Sequence, residues 1–413
     1  MVSDFIVLYL ALLAFFLGGD PVPGEQVVPP LGGGEQNATV SSSIPRDEAF
    51  FVRAWEIEGV TLFEEDEVRG LLNGLSGKEI SFAQVEEAVS VIERHYEENG
   101  FLARAVVPPQ DVSSGLVMVE VLEARLGEIR IEEGGSSLVS EDRILSMVGG
   151  GLGKGELYDA DSLNRGLLLA DDMSGVSLTG FLQEGSEPGL VDLNLKTLKE
   201  ARATAELAVD NANARALGSE RVVFSGTLVS PLSMAEVFSI KSLLSEGSFY
   251  RSFSASVPIG SEGFKLRVYL SKLSYDVISD EFRALDISGG VEEEGIELSY
   301  PVYRSSKANL YWSVQRDNRS YETKVVGSVV KDSRIKGFKT ELTGNLFDEW
   351  GGGGANSASL SFSRGDLGGF GVLPSMLGDY SIYNYSLTRQ QALSDKLSLF
   401  VSLRGQFAEG LSS

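Results

Sequence analysis

From Ala201 to the last residue the chain is written with a period of two. Val222, Phe224 and Leu228 alternate with Ser225 and Thr227, and Phe264, Leu266, Val268 and Leu270 with Lys265, Arg267 and Ser271. Ala308, Leu310, Trp312 and Val314 alternate with Asn309, Ser313 and Gln315. About a dozen such segments of roughly ten residues follow one another, separated by Gly, Ser, Asp and Asn. A strand turns successive side chains to opposite faces, so each segment has one apolar and one polar face. Two folds satisfy this: a soluble sandwich with the apolar face as its core, or a transmembrane barrel with that face toward lipid. The run of successive up-and-down strands, the small residues throughout and the aromatics near strand ends, among them Phe249, Tyr250, Tyr275, Tyr300, Tyr303, Tyr311 and Tyr380, favour the barrel. At about 17 residues per strand with its connection, the segment holds about 12 or 13 strands.

Other chemistries are excluded one by one. A net charge of −24 argues against nucleic acid. With no cysteine and one histidine, His95, there is no disulfide framework, thiol nucleophile or His-rich metal site. No Gly-x-Ser-x-Gly elbow is present. Gly149 to Gly155 fails the phosphate-loop spacing at Val148 and Gly155 and reads as a solvated loop. Glu64 to Glu67 suits a helix N-terminus, and Glu292 to Glu294 reads as a barrel turn. The chain reads as a non-enzyme without cofactor. Phe5 to Leu17 has the length of a signal-peptide apolar region, so residues 1–19 read as a signal peptide and 20–45 as a Pro/Gly/Ser-rich linker.

Between linker and barrel lie two copies of one α+β module, at 46–124 and 125–199. In the first, Phe50 to Glu58 is strand-like, Glu64 to Leu75 helical, and Phe82 to Glu98 helical with a stripe of Phe82, Val85, Val89, Ile92 and Tyr96. Ser81 and Gln84 fit a capping box. Arg104 to Val107 and Leu116 to Leu122 complete a three-stranded sheet. Gly59 to Gly100 recurs as Gly134 to Gly175, a period of about 75 residues that implies duplication. Such a sheet leaves an edge strand whose unpaired backbone is a template for an extended polypeptide, unless charge or the neighbouring module blunts it.

The stretch Tyr96-Glu97-Glu98-Asn99-Gly100-Phe101-Leu102-Ala103-Arg104-Ala105-Val106-Val107-Pro108-Pro109-Gln110, followed by Gly115, resembles the Y-x-x-x-G-[YF]-x-x-x-R-A-x-[LV]-P-x-Q-x(4)-G passage of the first POTRA domain in two-partner secretion transporters (TpsB; ShlB/FhaC/HecB family, Omp85 superfamily). Glu58-Gly59, Asp210-Asn211 with Gly218, and Tyr300-Pro301-Val302-Tyr303-Arg304-Ser305 are similar to further motifs of that family, and the resemblance runs from about residue 50 to the end. It implies periplasmic POTRA modules followed by a 16-stranded barrel, here incomplete at 200–413, in the outer membrane of a Gram-negative cell. The implied partner is a large exoprotein, haemolysin- or adhesin-like, bound through its N-terminal secretion domain, with no nucleotide, metal or nucleic acid involved.

The client site expected on the first module is the edge strand Arg104, Ala105, Val106, Val107 with Gln110, walled by Ile92 and Tyr96. Arg104 could instead pair with Glu97 or Glu98. Where the family has N-P-L-G, this chain has Ser230-Pro231-Leu232-Ser233, and it ends before the family's V-R-G-[YF] motif, which predicts a C-terminal truncation. The alternatives are an Omp85-type barrel assembly factor, a porin or surface-binding barrel, or a non-functional remnant that only binds clients.

Overall fold

A computed structural model describes residues 49–409, except 133, 135, 373–376 and 395. The expected signal peptide and linker lie outside the described residues. The first module runs β1 (Ala49–Val52), β2 (Ala54–Glu58), α1 (Glu65–Leu71), β3 (Lys78–Ser81), α2 (Phe82–Glu98), β4 (Ala103–Val106) and β5 (Leu116–Glu123). The strand expected from Phe50 to Glu58 is therefore two strands. At the break the N–H groups of Arg53 and Ala54 both donate to Gly115 O, at 2.6 and 3.2 Å, and β1 pairs with β3 while β2 pairs with β5.

Helix α2 starts where the sequence sets it. Gln84 N–H donates to Ser81 Oγ at 3.4 Å, and Ser81 N–H donates back to Gln84 Oε1 at 2.9 Å. Its stripe of Val85, Val89, Ile92 and Tyr96 is buried against the sheet, and each such side chain contributes about 1.5–3 kcal/mol.

The second module repeats the order with β6 (Arg125–Ile131), α3 (Glu141–Val148), α4 (Ala160–Asp171), β7 (Val176–Glu184) and β8 (Leu190–Lys199). The sheets are ordered β2-β5-β4 and β6-β8-β7, each with one parallel and one antiparallel pairing and each over its own apolar cluster. The repeat is anchored in backbone geometry: Gly59, Gly100, Gly134 and Gly175 have φ of 85°, 84°, 87° and 100°, a region where a Cβ is strained.

The remaining strands are β9 (Ala203–Asp210), β10 (Arg221–Val229), β11 (Val237–Ser245), β12 (Ser248–Ile259), β13 (Phe264–Asp276), β14 (Ser288–Arg304), β15 (Ala308–Val325), β16 (Ser328–Asp348), β17 (Gly354–Phe370), β18 (Gly378–Ser394) and β19 (Leu397–Glu409). They form one antiparallel sheet of 11 strands in chain order. That is fewer than the 12 or 13 from spacing, because β14 to β18 run 17 to 21 residues each. Glu292 to Glu294 lie inside β14 rather than in a turn. Charge is no bar to a strand there, because Glu292 meets Lys272 at 2.5 Å on one face and Glu293 meets Arg319 at 2.9 Å on the other.

Burial separates barrel from sandwich. Val268, Leu270, Leu342, Leu360 and Leu387 are exposed, whereas Asp317, Ser333 and Ser361 on the opposite face are buried at 6, 2 and 5% exposure. A water-soluble sandwich has the reverse arrangement; an apolar outer face and a polar inner one is the pattern of a sheet that stands in lipid. Tyrosines cover glycines on neighbouring strands: Tyr275 pairs with Gly289, Tyr269 with Gly295, Tyr380 with Gly365 and Tyr385 with Gly405. At each of these glycines a Cβ would run into the tyrosine ring.

Candidate polypeptide-binding edge

Strand β4 is an edge of the first module's sheet, hydrogen-bonded only to β5. Ala124 N–H donates to Leu102 O at 2.8 Å just before it, which turns the backbone of Arg104 and Val106 toward β5 and that of Ala103, Ala105 and Val107 outward. One outward donor is already taken: Ala105 N–H donates to Glu93 Oε1, on α2, at 3.0 Å. The edge is thus blunted at its centre by a side chain rather than by a strand. Glu93 was not among the sequence-derived residues, since its role depends on α2 packing alongside β4.

The expected site residues divide. Arg104 is exposed and pairs with neither Glu97 nor Glu98; Ala105 is buried, and Val106 and Val107 are half-buried. Gln110 serves the fold. Its Oε1 accepts from Met118 N–H at 2.7 Å and its Nε2 donates to Met118 O at 2.7 Å. The amide stands in for a strand residue on β5 after Pro108-Pro109 has ended β4. Ile92 and Tyr96, expected as a groove wall, are instead in the core at 0% exposure. The stripe that makes α2 amphipathic is the face it buries. Tyr96 donates its hydroxyl to Glu123 Oε1 at 2.9 Å, and Thr61 and Leu62 N–H donate to the same oxygen at 2.7 and 2.9 Å. Burial pushes the Glu123 carboxyl up, but these bonds outweigh it and hold the group below its ordinary value; burial, then the bond to Glu123, raises the Tyr96 phenol.

His95 packs against Phe63, ring centroids 4.8 Å apart and planes tilted by 55°, with Nε2 3.3 Å from Glu67.

The second module docks onto the turns at the near end of the long sheet. Ser140 N–H donates to Ser233 O at 3.0 Å, Ser230 Oγ to Leu138 O at 3.1 Å and Arg165 Nη2 to Pro301 O at 2.7 Å. Arg304 forks onto Asp172 at 2.8 and 2.9 Å. The Tyr300 to Ser305 motif is thus the docking strand end, with a bulge between Pro301 and Tyr303 and Tyr300 stacked on Phe264 at 4.4 Å. The departure at Ser230-Pro231-Leu232-Ser233 is also explained. Ser230 and Ser233 have φ of 49° and 61°, the left-handed conformation that Asn and Gly adopt most readily. Ser230 Oγ compensates by also accepting from Ala235 N–H at 3.1 Å.

Two α+β modules ahead of an up-and-down sheet with an apolar outer face define an outer-membrane β-barrel protein with POTRA domains in the periplasm. Residues 50–124 match the POTRA domain of ShlB type, and residues 189–410 match Haemolysin secretion/activation protein ShlB/FhaC/HecB. The chain belongs to that family, within the Omp85 superfamily. It is 24% identical over 362 residues to the Heme/hemopexin transporter protein HuxB of Haemophilus influenzae, covering 83% of this chain and 62% of that protein. It is 22% identical over 333 residues to the Outer membrane transporter CdiB of Dickeya dadantii, covering 76% and 58%. The chain thus spans about three fifths of the length of these relatives. Among solved structures, CdiB from Escherichia coli superposes with a TM-score of 0.68 at 17% identity, covering 92% of this chain and 71% of that one. CdiB from Acinetobacter baumannii gives 0.56 at 15% identity, covering 99% and 76%. At such identities the superpositions speak for the fold.

Proposed function

We propose that this chain is the transporter of a two-partner secretion pair, which exports one large haemolysin- or adhesin-like exoprotein from periplasm to cell surface. Residues 46–124 and 125–199 act as the two POTRA domains and 200–413 as barrel. No catalysis is required of it; folding of the exported chain outside the cell supplies the direction. Recognition is by strand addition: an extended segment of the partner's N-terminal secretion domain pairs with the outward backbone of Ala103, Ala105 and Val107, displacing Glu93. The observation that carries this reading is the edge position of β4, with its central donor held only by a side chain. Arg104, exposed beside it, offers a charge to the incoming segment.

The test is retention of the partner from periplasmic extract by immobilised 46–199, and its loss in Ala103→Pro. Proline removes an outward N–H without touching the β4–β5 ladder, so Trp55 fluorescence should stay native. Capture of many unrelated unfolded chains, or full retention by the proline variant, would refute strand addition to β4 by a single partner.

A further inference from the structure

The outward face of the long sheet changes character along the strands. The docked turns mark the periplasmic end, so the far ends of β13 and β14 point out of the cell. Phe264, Leu266, Val268 and Leu270 give way to Lys272 on β13. At about 3.3 Å per residue and a tilt near 40°, Lys272 stands about 20 Å beyond Phe264, near the outer rim of an apolar band about 25 Å tall. Two rows cross the sheet in register with this end of β13: Arg251, Lys272, Glu292, Ser320 and Arg334, then Phe253, Leu270, Glu294, Asn318 and Lys336. A cavity of about 540 Å³ opens among them.

The charges in this trough do not cancel. Lys272 meets Glu292 at 2.5 Å, and Glu294 accepts from Asn318 at 3.2 Å. Among the described residues Arg334 and Lys336 make no ion pair, and Arg251 lies over the Phe249 ring at 5.9 Å. Arg251 shares the field of Glu292 with Lys272, which leaves two cations of the trough, Arg334 and Lys336, facing outward without a carboxylate partner in a chain whose net charge is −24. The next row on this face holds Ile296, Arg316, Phe338 and Arg364, and below it Leu266, Leu298 and Val314 open the apolar band. Cations above and an acyl-compatible surface below fit an amphiphile with phosphate on its headgroup.

We infer that this trough binds the phosphorylated glycolipid of the outer leaflet, lipopolysaccharide, with Arg334 and Lys336 holding its phosphates and Leu266, Leu298 and Val314 its acyl chains. The site deepens the outer-membrane assignment and does not depend on which exoprotein is exported.

The test titrates the full chain, folded in detergent micelles, with purified rough lipopolysaccharide and with the same lipid after phosphatase treatment. R334Q/K336Q should weaken binding at least tenfold, as should removal of the lipid phosphates. K307Q, in the turn between β14 and β15 at the opposite end of the sheet, should stay within twofold, and R334K/K336R should restore binding. Each variant is first checked for wild-type heat-modifiable mobility, so a folding defect is not read as lost binding. Undiminished binding by R334Q/K336Q, equal binding of dephosphorylated lipid, or no binding by the wild type would overturn the inference. Competition by inorganic phosphate at concentrations equal to the lipid would overturn it too, by making the trough a free-anion site.

Discussion

Glu123 gives the sharpest test of how the first module is held together. It ends β5, and its carboxylate accepts from Thr61 N–H, Leu62 N–H and the Tyr96 hydroxyl at 2.7, 2.9 and 2.9 Å, as well as from the Thr61 hydroxyl. Glu123→Ala leaves two backbone donors and one buried phenol without an acceptor. An orphaned buried donor costs about 1–3 kcal/mol, and water can reach the exposed Thr61, so the loss should be about 2–4 kcal/mol. The assay is urea unfolding of residues 46–199 followed by Trp55, whose side chain is 3% exposed and which is the one tryptophan of that fragment. With m of about 1–1.5 kcal/mol/M the midpoint should fall by about 2 M.

The pH dependence has a defined sign. The folded-state carboxyl lies below its ordinary value, so its contribution is complete above the unfolded pKa of about 4.3 and is lost as pH falls through the folded value. The gap between wild type and Glu123→Ala should therefore narrow below about pH 4. A midpoint shift under about 0.3 M, or a gap that stays constant down to pH 3, would refute the assignment of Glu123 as the hub.

Other consequences are open to direct measurement. Arg304→Ala should weaken docking of the second module by about 1 kcal/mol; the readout is hydrogen exchange at Ser140, whose N–H donates to Ser233 O across the docking surface, and unchanged exchange would count against the latch. Glu93→Ala frees the central donor of β4 and should raise partner retention by about fivefold, equivalent to about 1 kcal/mol; unchanged retention would mean that Glu93 does not compete. Ser233→Gly relieves a φ of 61° and should raise stability by about 0.5–1 kcal/mol in thermal unfolding of the full chain.

What could be read directly was whatever local pattern carries. Helix α2 announced itself by a stripe over 17 residues and a capping box, and the sheet strands by alternation. β3 has four residues, too few to show a period. The break at Arg53 is imposed by the carbonyl of Gly115, remote in sequence. Hydropathy also misplaced Glu292 to Glu294, because strands that rise beyond the lipid lose the alternation that identifies them. At the candidate site, motif spacing located β4. It could not reveal that Glu93 reaches back to cap it, that Gln110 serves Met118, or that Ile92 and Tyr96 are spent on the core, since all three depend on how α2, β4 and β5 come together.

The tyrosines laid over glycines suggest how so long a meander finds its register. Hydrogen bonds along an antiparallel pair are nearly the same after a slip of two residues, so they alone discriminate poorly among alignments. A bulky ring that fits only over a residue without a Cβ supplies the missing discrimination, and four such pairs recur along the sheet. Slipping β13 against β14 by two places would set Tyr269 against Glu293 or Glu297 instead of Gly295. Gly295→Val should accordingly lower the yield of folded protein, and Tyr269→Ala in the same chain should restore it. The pairs thus act as register keys between neighbouring strands.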